Sequence, residues 1–219
     1  MKYALPKLAV VISTGYAFFW LAHWPLGFTF FTQLSNLYAT LIVLAQLTRR
    51  FQSRLTVAKY TATVSVLITF LVYLTVLAPM TPGGLPAAYA QDHYASMALH
   101  IVSPLFCLAD FLINDAPAHP LKRGCLDLAL IPPVTWLLLI LILGRCGVRW
   151  YGTVAPYPFL NYAAPAGWFG FQPETAGASS LGIGVFYAIC ALIAVYLAVA
   201  RLLLTLACRR HTAHTVGSI

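Results

Sequence analysis

Charged residues are scarce in this chain. Of its 219 residues, 8% are charged and 61% are hydrophobic. A soluble domain carries roughly 25% charged residues, so this composition excludes an ordinary soluble domain. Together with a mean hydropathy of +0.82, it indicates an integral membrane protein.

Acidic residues and paired cysteines are also lacking. Five acidic residues stand against 13 basic ones, giving a net charge of +8. The basic residues form short clusters between apolar runs, as in membrane topology signals, so we expect no nucleic-acid partner. The five cysteines show no paired spacing, which predicts no disulfide framework and no zinc site. We expect no metal and no other cofactor. The first apolar run has no A-x-A-like cleavage site and is expected to be a span rather than a signal peptide.

Six apolar runs approach the about 20 residues that a membrane span needs. They predict an all-α polytopic membrane protein with six transmembrane helices in one bundle, residues 1–210, and a polar, disordered cytoplasmic tail, residues 211–219. Pro132-Pro133 should kink the fifth run or delay its start. The predicted spans are 5–24, 28–47, 57–79, 93–114, 126–144 and 181–207.

The basic residues predict the orientation of the spans. With six spans, eleven lysines and arginines fall on one side and only Arg145 and Arg149 on the other, so both termini should be cytoplasmic in the plasma (inner) membrane. The eleven are Lys2, Lys7, Arg49, Arg50, Arg54, Lys59, Lys122, Arg123, Arg201, Arg209 and Arg210.

The longest connection between spans, residues 146–180, is rich in aromatic residues and proline and is predicted to be external. Two interpretations are compatible with each other. It is an interfacial aromatic belt, or it is a cap over the external mouth of the bundle.

Polar residues mark two of the predicted spans. In the second, Thr32, Ser35 and Asn36 lie on one helical face that lipid cannot satisfy. The fourth carries a polar stripe that should face the bundle interior or a water-filled cavity. Its members are His93, Ser96, His100, Ser103, Cys107, Asp110 and Asn114.

Thr32 and His100 are expected at the same depth in the outer half of the membrane. A histidine beside a hydroxyl can act as general base while the oxygen attacks a carbonyl. Ser35 and Asn36 would be oxyanion donors. Ser103 or Asp110 would orient the imidazole, although Asp110 lies roughly 15 Å along the helix and is alternatively a structural anchor near the cytoplasmic end.

Three motifs together carry a family resemblance. They are Phe31-Thr32-x-x-Ser35-Asn36-Leu37, Leu99-His100-x-x-x-Pro104 and Tyr157-Pro158-Phe159-Leu160-Asn161. In this order and spacing the chain resembles the androgen-induced protein family, which includes the androgen-dependent TFPI-regulating protein, and most closely its bacterial branch.

The resemblance implies a six-span threonine hydrolase that cleaves fatty acid esters of hydroxy fatty acids or similar lipids through an acyl-enzyme. It implies Thr32 as nucleophile and His100 as base. Tyr157 and Asn161 would be supporting residues. The expected partners are a fatty-acyl ester substrate and membrane lipids, and the oligomeric state is open.

Other functions remain open at the level of sequence. A proton-coupled transporter or channel would use His93, His100 and Asp110 as a relay. A metal or haem protein would use His23, His93 and His100, but the last two lie roughly 10 Å apart along a helix. A non-enzymatic membrane sensor is a further alternative.

Overall fold

The computed structural model describes residues 4–24, 26–48, 54–177 and 180–216. This part of the chain is all-helical, and its only β-type pairing is three isolated bridges in the connection before the last helix. Lys2, Arg49 and Arg50, which entered the topology prediction, lie outside the described residues. The α-helices are α1 (Leu5–Leu21), α2 (Phe31–Leu47), α3 (Thr56–Val72), α4 (Gly84–Met97), α5 (Ser103–Asp110), α6 (Cys125–Ala129), α7 (Ile131–Arg145) and α8 (Val185–Val216).

Four helical segments are long and apolar enough to cross a membrane. They are Thr56–Leu77, Gly84–Asp115, Cys125–Arg145 and Val185–Val216. Helices α1 and α2 have 17 residues each, fewer than the about 20 that a span needs. The fold is therefore compatible with a multi-pass membrane protein, while the count of six spans stays a prediction.

Three π-helical segments lie within the long helical runs. Tyr73–Leu77 follows α3, Ala98–Val102 joins α4 to α5, and Phe111–Asp115 follows α5. Each widens the backbone ladder from i→i+4 to i→i+5 bonds, an irregularity that is frequent at functional sites.

Helix ends depart from the predicted boundaries at α7 and α4. Helix α7 begins at Ile131 with Pro132-Pro133 in its first turn, where a missing N–H costs nothing. The short helix α6 precedes it, so the prolines mark a break at Leu130 within the run Cys125–Arg145. Helix α4 begins at Gly84, inside the expected loop, and is interrupted at Asp92, His93 and Tyr94, which have φ of 50°, 55° and 66°.

The predicted disorder of the tail from residue 211 is wrong as far as Val216. Helix α8 continues to that residue because no Gly or Pro interrupts residues 208–216. His211 also fixes the extension to the rest of the bundle, since its Nδ1 lies 2.9 Å from the Pro117 carbonyl oxygen.

A buried charge cluster holds one end of the bundle together. The Asp110 carboxylate lies 2.8 Å from Lys7 Nζ and 2.7 Å from Lys59 Nζ, which joins α1, α3 and α5. The amide of Gln46 on α2 bridges Lys7 to Asp115, at 3.3 and 2.7 Å. This cluster supports the interpretation of Asp110 as a structural anchor.

The same cluster changes the charge count behind the topology. Lys7 is 5% exposed and Lys59 is fully buried, so neither is a surface charge in a loop. Removing these two from the eleven leaves nine basic residues on the predicted cytoplasmic side, against Arg145 and Arg149. The remaining basic residues still predict cytoplasmic termini, from a smaller excess of charge on that side.

Candidate active site

Two adjacent cavities lie at the opposite end of the bundle from the charge cluster. The inner cavity, of about 110 Å³, has walls of aliphatic and aromatic side chains from α2, α3, α7, α8 and the loop after α7. Val134 on α7 and Ile193 on α8 belong to its lining and are 44% and 40% exposed. The inner cavity therefore reaches the outer surface of the bundle between α7 and α8.

The second cavity, which we call the vestibule, has a volume of about 410 Å³. Its lining includes more polar side chains, among them Gln33, Gln91, Asp92 and Ser96. Among the described residues, only four line both cavities, and they form the partition between them. These are Thr32, Leu77, His100 and Tyr157.

Thr32 lies in the first turn of α2, where the backbone N–H groups lack helical partners. Phe30 precedes the helix in extended conformation without a side-chain cap, and the first N–H to bond back is that of Leu34, to Phe30 O at 3.2 Å. The N–H groups of Phe31, Thr32 and Gln33 thus have no acceptor within the helix. Such a helix start favours negative charge.

Two indole groups fix the turn before α2. Trp136 Nε1 on α7 donates to the Thr29 carbonyl oxygen at 2.8 Å, and Trp150 Nε1 in the loop donates to Thr29 Oγ1 at 2.7 Å. The position of Thr32 therefore depends on α7 and on the loop as well as on its own helix.

Tyr157 provides the polar contact of the Thr32 side chain. The two hydroxyl oxygens are 3.4 Å apart. Burial raises the pKa of Tyr157. Its hydrogen bonds with Thr32 and Phe31 lower the pKa by less than burial raises it, so the phenol keeps its proton at neutral pH. Tyr157 is accordingly a hydrogen-bond donor beside the Thr32 hydroxyl.

His100 lies in the π-helical segment Ala98–Val102 and is held on two sides. Its Nδ1 is 3.3 Å from the Thr69 carbonyl oxygen, and its ring stacks on Tyr73 with centroids 3.7 Å apart and planes at 13°. A carbonyl only accepts, so Nδ1 carries the proton and Nε2 of the neutral imidazole is left as acceptor. The contact with Thr69 therefore fixes the tautomer of His100.

Asn36 explains why His100 and Thr32 come together. The Ser103 N–H bonds Ala98 O in the π-helical register, and residue 104 is proline, so neither of these residues donates to the Leu99 carbonyl. Asn36 Nδ2 supplies that donor at 3.2 Å and also bonds Thr32 O at 2.9 Å. One amide thus joins the first turn of α2 to the segment that carries His100.

Most of the predicted supporting residues lie outside both cavities. Ser35 and Asn36 donate to the Thr32 carbonyl, so the prediction that they are oxyanion donors is not supported by the geometry. Ser103 Oγ lies 3.4 Å from Thr14 Oγ1, and Asp110 is held in the charge cluster. Asn161 Oδ1 accepts from the Ala163 N–H within the loop at 3.3 Å.

The orienting group for His100 is therefore neither Ser103 nor Asp110. It is the Thr69 backbone carbonyl, with Tyr73 as a stacking surface, and neither residue was predicted from the sequence. Polar residues at positions 61, 65 and 69 recur at i, i+4 and i+8 on α3, and this pattern would have pointed to that face.

The polar stripe of the fourth span is buried over five of its seven members, from His100 to Asn114. His93 is exposed because the backbone break at Asp92–Tyr94 turns it away, and its ring stacks on Trp20 with centroids 3.8 Å apart. A relay through His93, His100 and Asp110 is not assembled. Among the described residues, no group of three His, Cys, Asp or Glu side chains could hold a metal ion.

The loop between α7 and α8 is partly packed against the bundle and partly exposed, while its position outside the membrane stays a prediction. Trp150, Phe159 and Leu160 are buried against the bundle, and Tyr157 reaches the cavities, as expected of a cap. Phe169 and Phe171 remain 67% and 73% exposed, as expected of an interfacial belt.

Comparisons with protein-family models, curated proteins and solved structures give no match to this chain. The resemblance to the androgen-induced protein family therefore depends on the three motifs alone, and its implications for function are proposals.

Proposed function

We propose that the protein is an intramembrane hydrolase of lipid esters, with Thr32 as nucleophile and His100 as general base. The observation that carries this proposal is the partition. A hydroxyl, an imidazole and a phenol lie between an apolar cavity that reaches the surface of the bundle and a more polar vestibule. An ester of a lipid has the same division, with an acyl chain on one side of the carbonyl and an alcohol on the other.

The residues suggest a role for each group. The acyl chain occupies the inner cavity, and Thr32 Oγ1 attacks the carbonyl carbon while His100 Nε2 accepts the hydroxyl proton. Tyr157, whose hydroxyl oxygen accepts from the N–H groups of Phe31 and Thr32 at the start of α2, stabilises the oxyanion. The alcohol takes the proton from His100 and leaves through the vestibule. Water, deprotonated by His100, then releases the acid from the Thr32 ester.

The Thr32 hydroxyl and His100 are not hydrogen-bonded to each other in this arrangement, since their partners are Tyr157 and Thr69. Proton transfer requires rotation of the Thr32 side chain or one bridging water. Catalytic hydrogen bonds commonly tighten in this way when substrate binds.

We also propose the number of spans and their orientation in the membrane. Helices α1 and α2 are the first two of six spans, both termini are cytoplasmic, and the loop after α7 is external in the inner membrane. The cavity opening between α7 and α8 then admits acyl chains from the bilayer. Fatty acid esters of hydroxy fatty acids, the substrates implied by the family resemblance, are one class of lipid with this division.

A fluorophosphonate probe tests the nucleophile directly. We expect the probe to label the wild type and not Thr32→Ala, because among the described residues Thr32 carries the only aliphatic hydroxyl at the partition. His100→Ala should slow labelling by about 10²- to 10⁴-fold, the usual contribution of a general base. Thr40→Ala is the matched control, since Thr40 is buried on the same helix but lines neither cavity.

Labelling is quantified by intact mass, and hydrolysis by release of fatty acid from esters in micelles. Equal labelling of the wild type and Thr32→Ala would exclude Thr32 as the nucleophile. Loss of labelling in Thr40→Ala to the same degree would show that the assay reports folding rather than chemistry.

A further inference from the structure

One tyrosine connects a wall of the vestibule to His100. Part of the vestibule lining comes from residues 80–92, which we call the flap, through Met80, Thr81, Pro82, Gln91 and Asp92. The flap contains the first part of α4, from Gly84 to Gln91, in which only Ala88 is buried. The Tyr73 hydroxyl donates to the Ala88 carbonyl oxygen at 2.8 Å. This bond holds the short helix against the bundle.

We propose that Tyr73 is a positioning residue that couples closure of the flap over the vestibule to the placement of the His100 imidazole. With the flap closed, Tyr73 supports the imidazole during proton transfer. With the flap open, the vestibule releases the alcohol and the imidazole loses this support. The inference rests on the proposed function, since it gives the flap a role in the reaction at Thr32 and His100.

The Tyr73 side chain contacts the flap and the imidazole at the same time. Its hydroxyl oxygen accepts from Ser96 Oγ at 2.6 Å, so its own proton is directed to Ala88. Ala88 precedes the backbone break at Asp92–Tyr94 and Ser96 follows it, so one phenol joins the two sides of the break. The face of the same ring lies on His100, with centroids 3.7 Å apart and planes at 13°.

Unusual backbone conformations occur near both ends of the short helix. Gly83 and Gly84 have φ of 86° and 67°, which glycine adopts without strain. The three residues of the break have φ of 50°, 55° and 66° without any glycine, and such strain persists only where neighbouring contacts hold it. One of these contacts is made by α1, since the Tyr16 hydroxyl donates to the His93 carbonyl oxygen at 2.5 Å. Loss of the bond to Ala88 would therefore let the short helix move between these two points.

Tyr73→Phe tests the coupling because it removes the hydroxyl and keeps the ring. We expect amide hydrogen exchange in residues 84–91 to rise about tenfold, the usual effect of losing one hydrogen bond. Tyr60→Phe is the matched control: Tyr60 is buried in the same helical run, its hydroxyl also donates to a backbone carbonyl (Ala200 O, 2.8 Å), and it lines neither cavity. Unchanged exchange in Tyr73→Phe, or an equal rise in Tyr60→Phe, would overturn the inference.

The imidazole is followed separately by NMR of isotopically labelled histidine. The ring current of the stacked Tyr73 moves the imidazole signals of His100 upfield, and His100→Ala identifies them among the six histidines. We expect Tyr73→Phe to move these signals toward the values of free histidine although an aromatic ring is retained, and Tyr60→Phe to leave them in place. Faster exchange in the flap with unchanged His100 signals would overturn the coupling and leave the hydrolase proposal standing.

Kinetics relate the coupling to the reaction. With p-nitrophenyl palmitate in micelles, Tyr73→Phe should lower kcat about tenfold and change KM less than threefold, because the inner cavity binds the acyl chain without the flap. Tyr60→Phe should change neither constant. A rise in KM at unchanged kcat would overturn the inference. If the wild type hydrolyses no ester, the hydrolase alone is refuted, and the exchange and NMR results still decide the coupling.

Discussion

The link between Asn36 and the π-helical segment predicts a measurable coupling to Pro104. Asn36→Ala removes the donor to the Leu99 carbonyl, which then has no partner because Pro104 has no N–H. Hydrogen bonds between membrane helices are worth about 0.6 to 1.7 kcal/mol, and an unsatisfied buried carbonyl costs about 1 to 3 kcal/mol. We expect Asn36→Ala to lower the free energy of unfolding by about 2 kcal/mol.

Pro104→Ala should remove part of that cost. The substitution restores a backbone N–H five residues after Leu99, in the register that the π-helical segment already uses. In the Pro104→Ala background, Asn36→Ala should therefore cost about 1 kcal/mol, which gives a coupling energy of about 1 kcal/mol between the two sites.

The coupling is measured by a double-mutant cycle on SDS-induced unfolding in mixed micelles. Thr40→Ala on α2 replaces Asn36→Ala in a parallel cycle, and it should show no coupling to Pro104. Additivity of Asn36→Ala and Pro104→Ala within about 0.5 kcal/mol would refute the argument that Asn36 substitutes for the missing proline N–H. Fluorophosphonate labelling of Asn36→Ala should also slow, since the same amide positions Thr32.

Two further substitutions test the packing around the site. Lys59→Met leaves Asp110 with one of its two cations, and we expect the free energy of unfolding to fall by about 3 to 5 kcal/mol in the same assay. Lys122→Met, at an exposed position, is the control. An equal fall in that variant would contradict a stabilising role of the charge cluster. A Cβ added to Gly144 would lie 2.5 Å from the Val154 carbonyl oxygen, so Gly144→Ala should displace the loop after α7, lower stability by about 1 to 3 kcal/mol and speed proteolysis within residues 146–177. Gly15→Ala is the control: an added Cβ there has nothing within 4 Å, so this variant should not destabilise the protein. Unchanged proteolysis of Gly144→Ala would refute the predicted clash with Val154.

The long apolar helices, and the position of Thr32 and His100 beside the same two cavities, were predictable from the sequence. Apolar runs and their flanking residues give the order and direction of helices, and helical rise then gives the depth of each side chain. The structure places both residues at the partition between the two cavities, while their depth in a membrane stays a prediction. Their catalytic roles stay predictions.

The partners of these two residues were not predictable in the same way. His100 is oriented by the backbone carbonyl of Thr69, and every residue has a carbonyl, so the sequence does not distinguish this one. Lys7 and Lys59 flank apolar runs as topology signals do, and only the packing of α1 and α3 against α5 reveals that both pair with Asp110. The backbone break at Asp92–Tyr94 contains no Gly or Pro, so the sequence did not predict it either.

One helical run carries both the anchor and the site, and this arrangement has a consequence for function. His100 and Asp110 are ten residues apart, roughly 15 Å along the axis. Ion pairs from two other helices fix the run at Asp110. At His100 it is held by one neutral hydrogen bond, one stacking contact and the Asn36 amide. Under the proposed mechanism, this difference lets the Thr32 side chain rotate toward the imidazole at the partition while the ion pairs hold the far end of the run. We therefore expect that the side chains at the partition can move only while the ion pairs of the charge cluster hold the other end of the helical run in place.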